Sequence, residues 1–338
     1  MRKKIKLLDY IFLMRPVLFY PVWTVFLAGY ICGIRINSGG SGNLILWQQV
    51  NSLSKSPVTF FIILFAYTSL MGAVFIINQL TDVKSDQKNN KLFLIANGYV
   101  GQTEAIIEAI LLGSLALVTG FVTHWLLGLC FVVALLITGI LYSSPPFLWK
   151  DRPLCGLVVN LSGGFLTFLS GWLLQMYLSN NLNWKMLIEN IAVKPSMFIQ
   201  ALPYIFAIGS VYFLTTVTDA QGDRSTGKVT FAVKYGTKIT LSYALIFEIS
   251  SLILAIILRD IVILLPALFA LPLFIRAYWK QDLTTVIQST RLSILFLSLV
   301  IAIYFPLYFL LIFGVYFLSK WYYQVRFNLD YPTLSAIS

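Results

Sequence analysis

The sequence predicts an all-α, polytopic integral membrane protein, a bundle of about nine transmembrane helices around a central apolar cavity. Three observations carry that expectation. Of the 338 residues, 59% are apolar and only 11% charged, whereas a soluble domain carries about 25% charged residues. The apolar residues gather into segments that meet the roughly 20-residue length of a helical bilayer crossing. The basic residues between those segments are unequally shared between alternate loops. Low hydrophobicity with high charge, the mark of a disordered chain, is excluded. Cys32, Cys130 and Cys155 have no paired spacing, which points to neither a disulfide framework nor a zinc site.

The elements follow in order. Residues 1–10 (MRKKIKLLDY) lead into an apolar run longer than a signal-peptide core and read as a basic anchor. The first span, 16–36, ends at the flexible connector Asn37 to Gly42. The second, 58–80, runs into a polar stretch at 78–91. The third and fourth, 104–124 and 125–143, divide at His124-Trp125, because their combined length needs two crossings. The fifth, 154–178, precedes a polar loop, Ser179 to Lys194, of no evident chemistry. The sixth, seventh, eighth and ninth are placed at 198–218, 238–258, 261–279 and 293–318. His124, at the outer end of the third span, reads as an interfacial residue without a catalytic role. Trp23, Trp149, Trp279, Trp321 and Tyr322 read as interface anchors.

The net charge of +11 is explained by threading. Arg2, Lys3, Lys4, Lys6, Arg15, Lys84, Lys88, Lys91, Lys150, Arg152, Arg224, Lys228, Lys234, Lys238, Arg276, Lys280 and Arg291 fall on one side. Arg35, Lys55, Lys185, Lys194, Arg259, Lys320 and Arg326 fall on the other. An excess of Lys and Arg marks the cytoplasmic side, so the N-terminus is expected in the cytoplasm, most simply at a cell (inner) membrane. Nucleic acid is not needed to explain the charge, and no obligate protein partner is indicated.

The 13 acidic residues are scarce enough for their clustering to matter. The second span ends in NQLTDVKSDQKNNK (78–91) and the sixth in TTVTDAQGDRSTGK (215–228). An offset of 137 residues superimposes Thr81 on Thr218, Asp82 on Asp219, Asp86 on Asp223 and Lys91 on Lys228. Four spans separate the two stretches, so both reach the same face. A four-residue spacing puts each pair of carboxylates on one side of a helix. Four facing carboxylates repel one another without a counter-charge. Magnesium, which takes a few carboxylates plus water and phosphate oxygens, supplies one. Lys84, Lys88, Lys91, Arg224 and Lys228 ring these stretches, Lys150 and Arg152 lie in the intervening loop, and Arg15 opens the first span. Carboxylates for magnesium inside a ring of Lys and Arg suit a bound diphosphate at the membrane surface.

These residues resemble the UbiA-type family of intramembrane prenyltransferases. The family's first signature, NDxxDxxxD, is matched at Asn78, Asp82 and Asp86, with Gln79 where Asp is usual. Asn89 and Gly98 also match, whereas Phe93-Leu94 replaces the family's Arg-Pro pair. The second signature, DxxGDRxxGxxT, is similar to DAQGDRSTGKVT at 219–230. YSSPPFLWKDRP at 142–153 is like the family's Tyr-Ser-x-Pro-Pro-x-x-x-Lys loop, and Arg15-Pro16 resembles its entrance to the first helix. The signature-bearing part spans 15–230, within a single membrane domain, 1–338.

The resemblance implies magnesium held by Asn78, Asp82, Asp86, Asp219 and Asp223, the four aspartates being catalytic. It implies a prenyl diphosphate donor contacted by Arg15, Asn78, Tyr142, Lys150, Arg224 and Lys228. Ionisation of the diphosphate gives an allylic cation, which a hydrophobic acceptor attacks. Membrane lipid surrounds the site, and a dry cavity protects the cation. Tyr20, Phe65, Tyr67, Phe75, Tyr142 and Phe165 are candidate cation-facing aromatics. A secondary transporter would instead place its carboxylates near the bilayer midplane. A CDP-alcohol phosphotransferase would carry a compact DGxxAR motif, absent from this sequence.

Overall fold

A chain surrounded by lipid must satisfy its own backbone N–H and C=O groups, and a helix does so within one segment. The computed structural model describes residues 6–37, 57–88, 94–179 and 196–332, and these form helices joined by short turns. Helix α1 (Lys6–Leu13) stops at Arg15, whose φ of 55° turns the chain before Pro16. One 3-10 turn then leads into α2 (Phe19–Asn37). Helix α3 (Pro57–Lys88) has 32 residues. At 1.5 Å per residue it is about 48 Å long, against a hydrocarbon core of about 30 Å, so it carries polar turns beyond that core. Next come α4 (Gln102–Thr123) and α5 (Trp125–Ala134), the latter continuing as a π-helix over Leu135–Leu141. His124 breaks the chain between them. Its Nδ1 accepts from the Leu126 N–H at 3.2 Å, and its ring lies beside Trp125 and Tyr177.

The remaining helices are α6 (Pro153–Leu178), α7 (Ser196–Thr226), the short α8 (Phe231–Tyr235), α9 (Thr237–Ile257), α10 (Ile261–Lys280), α11 (Leu283–Tyr304) and α12 (Pro306–Phe327). Among the described residues, 8 helices are long and apolar enough to cross a membrane, and Trp125–Leu141 is a shorter apolar helix beside them. The chain therefore forms a multi-pass membrane bundle.

The last expected span, 293–318, is corrected. The Asp282 carboxylate accepts from the Thr285 N–H at 2.7 Å and starts α11 at Leu283. The helix breaks at Phe305 because Pro306 lacks an N–H and disfavours a helical residue before it. Helix α12 then returns along α2. Tyr20 donates to the Ile312 carbonyl at 3.0 Å, the Tyr322 ring stacks on Phe12 with centroids 3.7 Å apart, and Arg326 pairs with Asp9 at 2.8 Å. Arg326, and Lys320 at the same end of α12, thus stand on the N-terminal face, opposite to the expectation from nine spans.

Helices α2 and α6 cross at glycines. A Cβ on Gly29 would lie 1.9 Å from the Phe168 carbonyl oxygen, and one on Gly171 would lie 1.8 Å from that of Phe26. Such small residues let helix backbones approach where no hydrophobic force drives association. At the far end of the bundle, Asp260 pairs with Arg35 at 2.7 Å and accepts from the Tyr204 hydroxyl at 3.1 Å. Between these features lies a cavity of about 470 Å³, lined from α2, α3, α5, α6, α7, α9, α10 and α11. The predicted cavity is thus present, with α4 contributing none of its lining.

Candidate active site

Two helix ends meet on the N-terminal face. Asn78 and Asp82 lie one turn apart on α3, and Asp219 and Asp223 lie one turn apart on α7. These four residues line a polar pocket of about 210 Å³ with Arg15, Gln79, Tyr142, Lys150, Asp151, Asn160, Tyr212, Thr215, Thr216, Lys228 and Thr230.

Two turns deliver the lysines. Between α5 and α6, Leu148 adopts a φ of 43° and its carbonyl accepts from the Asp151 N–H at 3.0 Å, which aims Lys150 inward. The Lys150 ammonium donates to Asn78 Oδ1 at 3.2 Å, Thr81 Oγ1 at 2.7 Å and Asp82 Oδ1 at 2.8 Å. At the end of α7, Gly227 has a φ of 79°, its N–H bonds the Arg224 carbonyl at 3.3 Å, and the Lys228 N–H bonds the Asp223 carbonyl at 3.0 Å. This is a Schellman closure, whose left-handed residue is normally glycine. It folds Lys228 back over the pocket, where its ammonium pairs with the same oxygen of Asp82.

Burial pushes the Lys150 ammonium below the usual lysine range despite the opposing pull of Asp82. Burial also works against charge on Lys228, but there the attraction of Asp82 wins and the shift is upward. Burial raises the Asp151 carboxyl, against the pull of Lys228 and Lys150.

Arg15, Asn78, Asp82, Tyr142, Lys150, Asp219, Asp223 and Lys228 therefore share one pocket. Arg224 does not join them: it is exposed and absent from the lining. The Asp86 side chain, like those of Lys84, Lys88 and Lys91, lies outside the described residues. No three His, Cys, Asp or Glu groups among the described residues come together as a metal cluster. The donor set is nonetheless one of hard oxygens: Asp82, Asp219 and Asp223, the Asn78 amide, and the buried Asp151 Oδ1 and Thr230 Oγ1, which have no hydrogen-bond partner among the described residues. Such oxygens, beside two ammonium groups, suit a divalent cation bound together with phosphate.

Several lining residues were not assigned to the site from the sequence. Asp151 stands next to Lys150 in the loop already noted, and that adjacency was the available signal. Gln79 is 3% exposed and donates to the Leu13 carbonyl at 2.7 Å, so it fastens α3 to the segment that leads into Arg15. The Tyr212 hydroxyl lies over α6, 2.6 Å from where a Cβ on Gly156 would sit. Of the six candidate aromatics, Phe75 and Tyr142 line the cavity. Phe65 is 62% exposed on the outer surface. Tyr67 bonds Thr167, Tyr20 bonds α12, and Phe165 stacks on Phe198, so contacts within the bundle occupy these three.

The polar pocket and the larger apolar cavity share Arg15, Asn78, Tyr142, Asn160, Tyr212 and Thr215, so one opens into the other. A charged mouth above an apolar chamber matches a molecule with an anionic head and a hydrocarbon tail.

The fold has solved counterparts. A UbiA homologue from Archaeoglobus fulgidus, solved with GPP and Mg2+, is 20% identical and superimposes with a TM-score of 0.60 over 87% of this chain and 99% of its own. An apo UbiA homologue from Aeropyrum pernix K1 is 14% identical, with a TM-score of 0.61 over 84% of this chain and 97% of its own. A structure described for digeranylgeranylglyceryl phosphate synthase is 17% identical, with a TM-score of 0.56 over 92% and 98%. No curated protein matches the sequence significantly. The sequence model of the UbiA prenyltransferase family matches residues 44–290. That match runs through both aspartate-bearing helix ends and the Lys150 loop between them, and it makes the chain a member of the UbiA prenyltransferase family, whose members are prenyl-transferring enzymes.

Proposed function

We propose that the protein transfers a prenyl group from a prenyl diphosphate to a lipophilic acceptor, in a magnesium-dependent reaction. The observation that carries this reading is the continuity of the polar pocket with the apolar cavity. The Archaeoglobus homologue solved with GPP and Mg2+ supports the same choice of donor and ion.

In this reading the diphosphate lies in the pocket and the isoprenoid tail in the chamber below. Asn78, Asp82, Asp219 and Asp223, together with Asp86 of the same signature, would hold magnesium, which when bound would offset the charge of the diphosphate and the charge that develops as it leaves. Lys150, Lys228 and Arg15 bind the phosphate oxygens, and Arg224 attracts the anion from its exposed position. The C1–O bond breaks with its electron pair leaving on the diphosphate, and the charge left on carbon is spread over the allyl group. Phe75 and Tyr142 present aromatic surface to that cation. Val74, Val159, Ile208 and Val211 keep the chamber apolar, so water is kept from the cation. The acceptor attacks C1 and loses a proton.

In the same reading the chain functions as a single domain, and the excess of Lys and Arg supports an N-terminus and a site on the cytoplasmic side of a cell membrane. The test is to incubate purified protein with labelled geranylgeranyl or farnesyl diphosphate, magnesium and pooled lipid acceptors. Metal-dependent release of pyrophosphate with a new prenylated lipid is expected; no consumption of any donor overturns the reading.

A further inference from the structure

One carboxylate in the cavity has no place in that scheme. Glu248 is carried on α9, is 2% exposed and lines the apolar chamber. Its Oε2 accepts from the Ser210 hydroxyl at 2.8 Å, and Oε1 has no hydrogen-bond partner among the described residues. The other small polar side chains of the chamber are turned to backbone carbonyls. Thr24 donates to Tyr20, Thr138 to Ala134, Thr167 to Gly163 and Ser293 to Ser289. At 1.5 Å per residue, Ser210 lies about 7.5 Å deeper along α7 than Thr215 in the polar pocket, and about 9 Å short of Tyr204 at the far end. Glu248 therefore stands halfway down the chamber.

A carboxyl at that depth is costly, and ionisable groups within the membrane mark functional contacts. The donor's hydrocarbon tail has nothing to offer it. A hydroxyl group both donates and accepts, so it pairs with a carboxyl in either protonation state.

We propose that Glu248 is an acceptor-recognition residue, whose free oxygen binds a hydroxyl group of the lipophilic acceptor midway down the chamber. The proposal rests on the prenyl-transfer reading and narrows its acceptor to a hydroxylated lipophile. A site built to hydrogen-bond a hydroxyl strongly rejects an analogue that lacks one, because its own buried polar group is left unpaired.

The test compares 4-nonylphenol with its methyl ether on the purified full-length protein. By thermal shift, the phenol is expected to stabilise the wild type more than the ether does. Glu248→Leu should abolish that preference, and Glu248→Gln, whose amide oxygen still accepts, should keep part of it. In turnover with geranylgeranyl diphosphate and magnesium, Glu248→Leu should raise KM for the phenol about tenfold or more and leave KM for the donor unchanged. Equal stabilisation of the wild type by phenol and ether overturns the proposal, as does a phenol preference retained in Glu248→Leu. If Glu248→Leu does not fold, an undiminished preference in Glu248→Gln overturns it equally. Absence of magnesium-dependent pyrophosphate release from the wild type overturns the prenyl-transfer reading instead, and the thermal shift then decides hydroxyl recognition alone.

Discussion

The side-chain amide of Gln79 donates to the backbone carbonyl of Leu13 at 2.7 Å and to that of Phe75 at 3.2 Å. Gln79 stands where the family signature usually carries an aspartate, which accepts hydrogen bonds but cannot donate one when ionised. In this chain the position anchors the end of α1, just before Arg15 enters the pocket. Gln79→Asp is expected to free that segment and leave a buried carbonyl unpaired, at a cost of about 1–3 kcal/mol. The melting temperature should fall and KM for the donor should rise more than kcat changes. An unaltered Tm and KM would show that the contact has no positioning role.

Asp82 pairs with two ammonium groups through one oxygen and offsets half of their charge. Asp82→Asn leaves Lys150 and Lys228 facing each other. Turnover should drop by about 10²–10³, the usual scale for losing a transition-state charge partner. The melting temperature should also drop and be partly restored by inorganic pyrophosphate, which supplies the missing negative charge. Asp219→Asn should lose turnover without that rescue. Near-normal turnover in Asp82→Asn would remove it from the metal-binding set.

Chelation with EDTA should abolish pyrophosphate release, and added magnesium should restore it. Calcium, which takes more ligands at longer distances, should support turnover poorly. In Asp223→Asn the magnesium concentration for half-maximal activity should rise several-fold, read from a titration of initial rates.

Gly171→Ala tests the α2–α6 crossing. Its Cβ would meet the Phe26 backbone at 1.8 Å, where no side chain can give way. The helices must separate, at a cost of about 1–3 kcal/mol or more. Gly314→Ala, with nothing within 4 Å, is the matched control and should leave Tm nearly unchanged.

Tyr204 lies at the far end of the chamber, between its apolar lining and the Asp260–Arg35 pair. Tyr204→Ala should lengthen the chamber and shift relative kcat/KM towards longer prenyl diphosphates. Tyr204→Phe keeps the ring and should keep the wild-type preference. A chain-length profile unchanged in Tyr204→Ala would show that the tail stops above this residue.

Much of the site was legible because four-residue spacing fixes one side of a helix whatever surrounds it. Asn78, Asp82, Asp219 and Asp223 followed from that geometry together with an even number of intervening spans. The direction in which a helix side faces within the bundle does not follow from spacing, which is why Phe65 proved to face outward and Arg224 to stand clear of the pocket. Hydropathy also runs smoothly through Phe305 and Pro306, so the apolar run concealed a break and the return of α12. Gln79 was visible as a departure from the signature, but its contact with Leu13 depends on how α1 folds back, a long-range relationship that no local pattern encodes.

The sharing of Asp82 between Lys150 and Lys228 has a kinetic consequence. In the proposed reaction, spent pyrophosphate would be gripped by the same ammonium groups that bind the donor, and a tight grip would slow its departure. Asp82 would then be a tethered competitor for those groups, present at the same effective concentration in every cycle. As the product loosened, the carboxylate would reclaim the lysines one at a time, so that exchange would require no moment at which two buried cations stand alone. On that reading, the pairing seen in this structure resembles the product-release step.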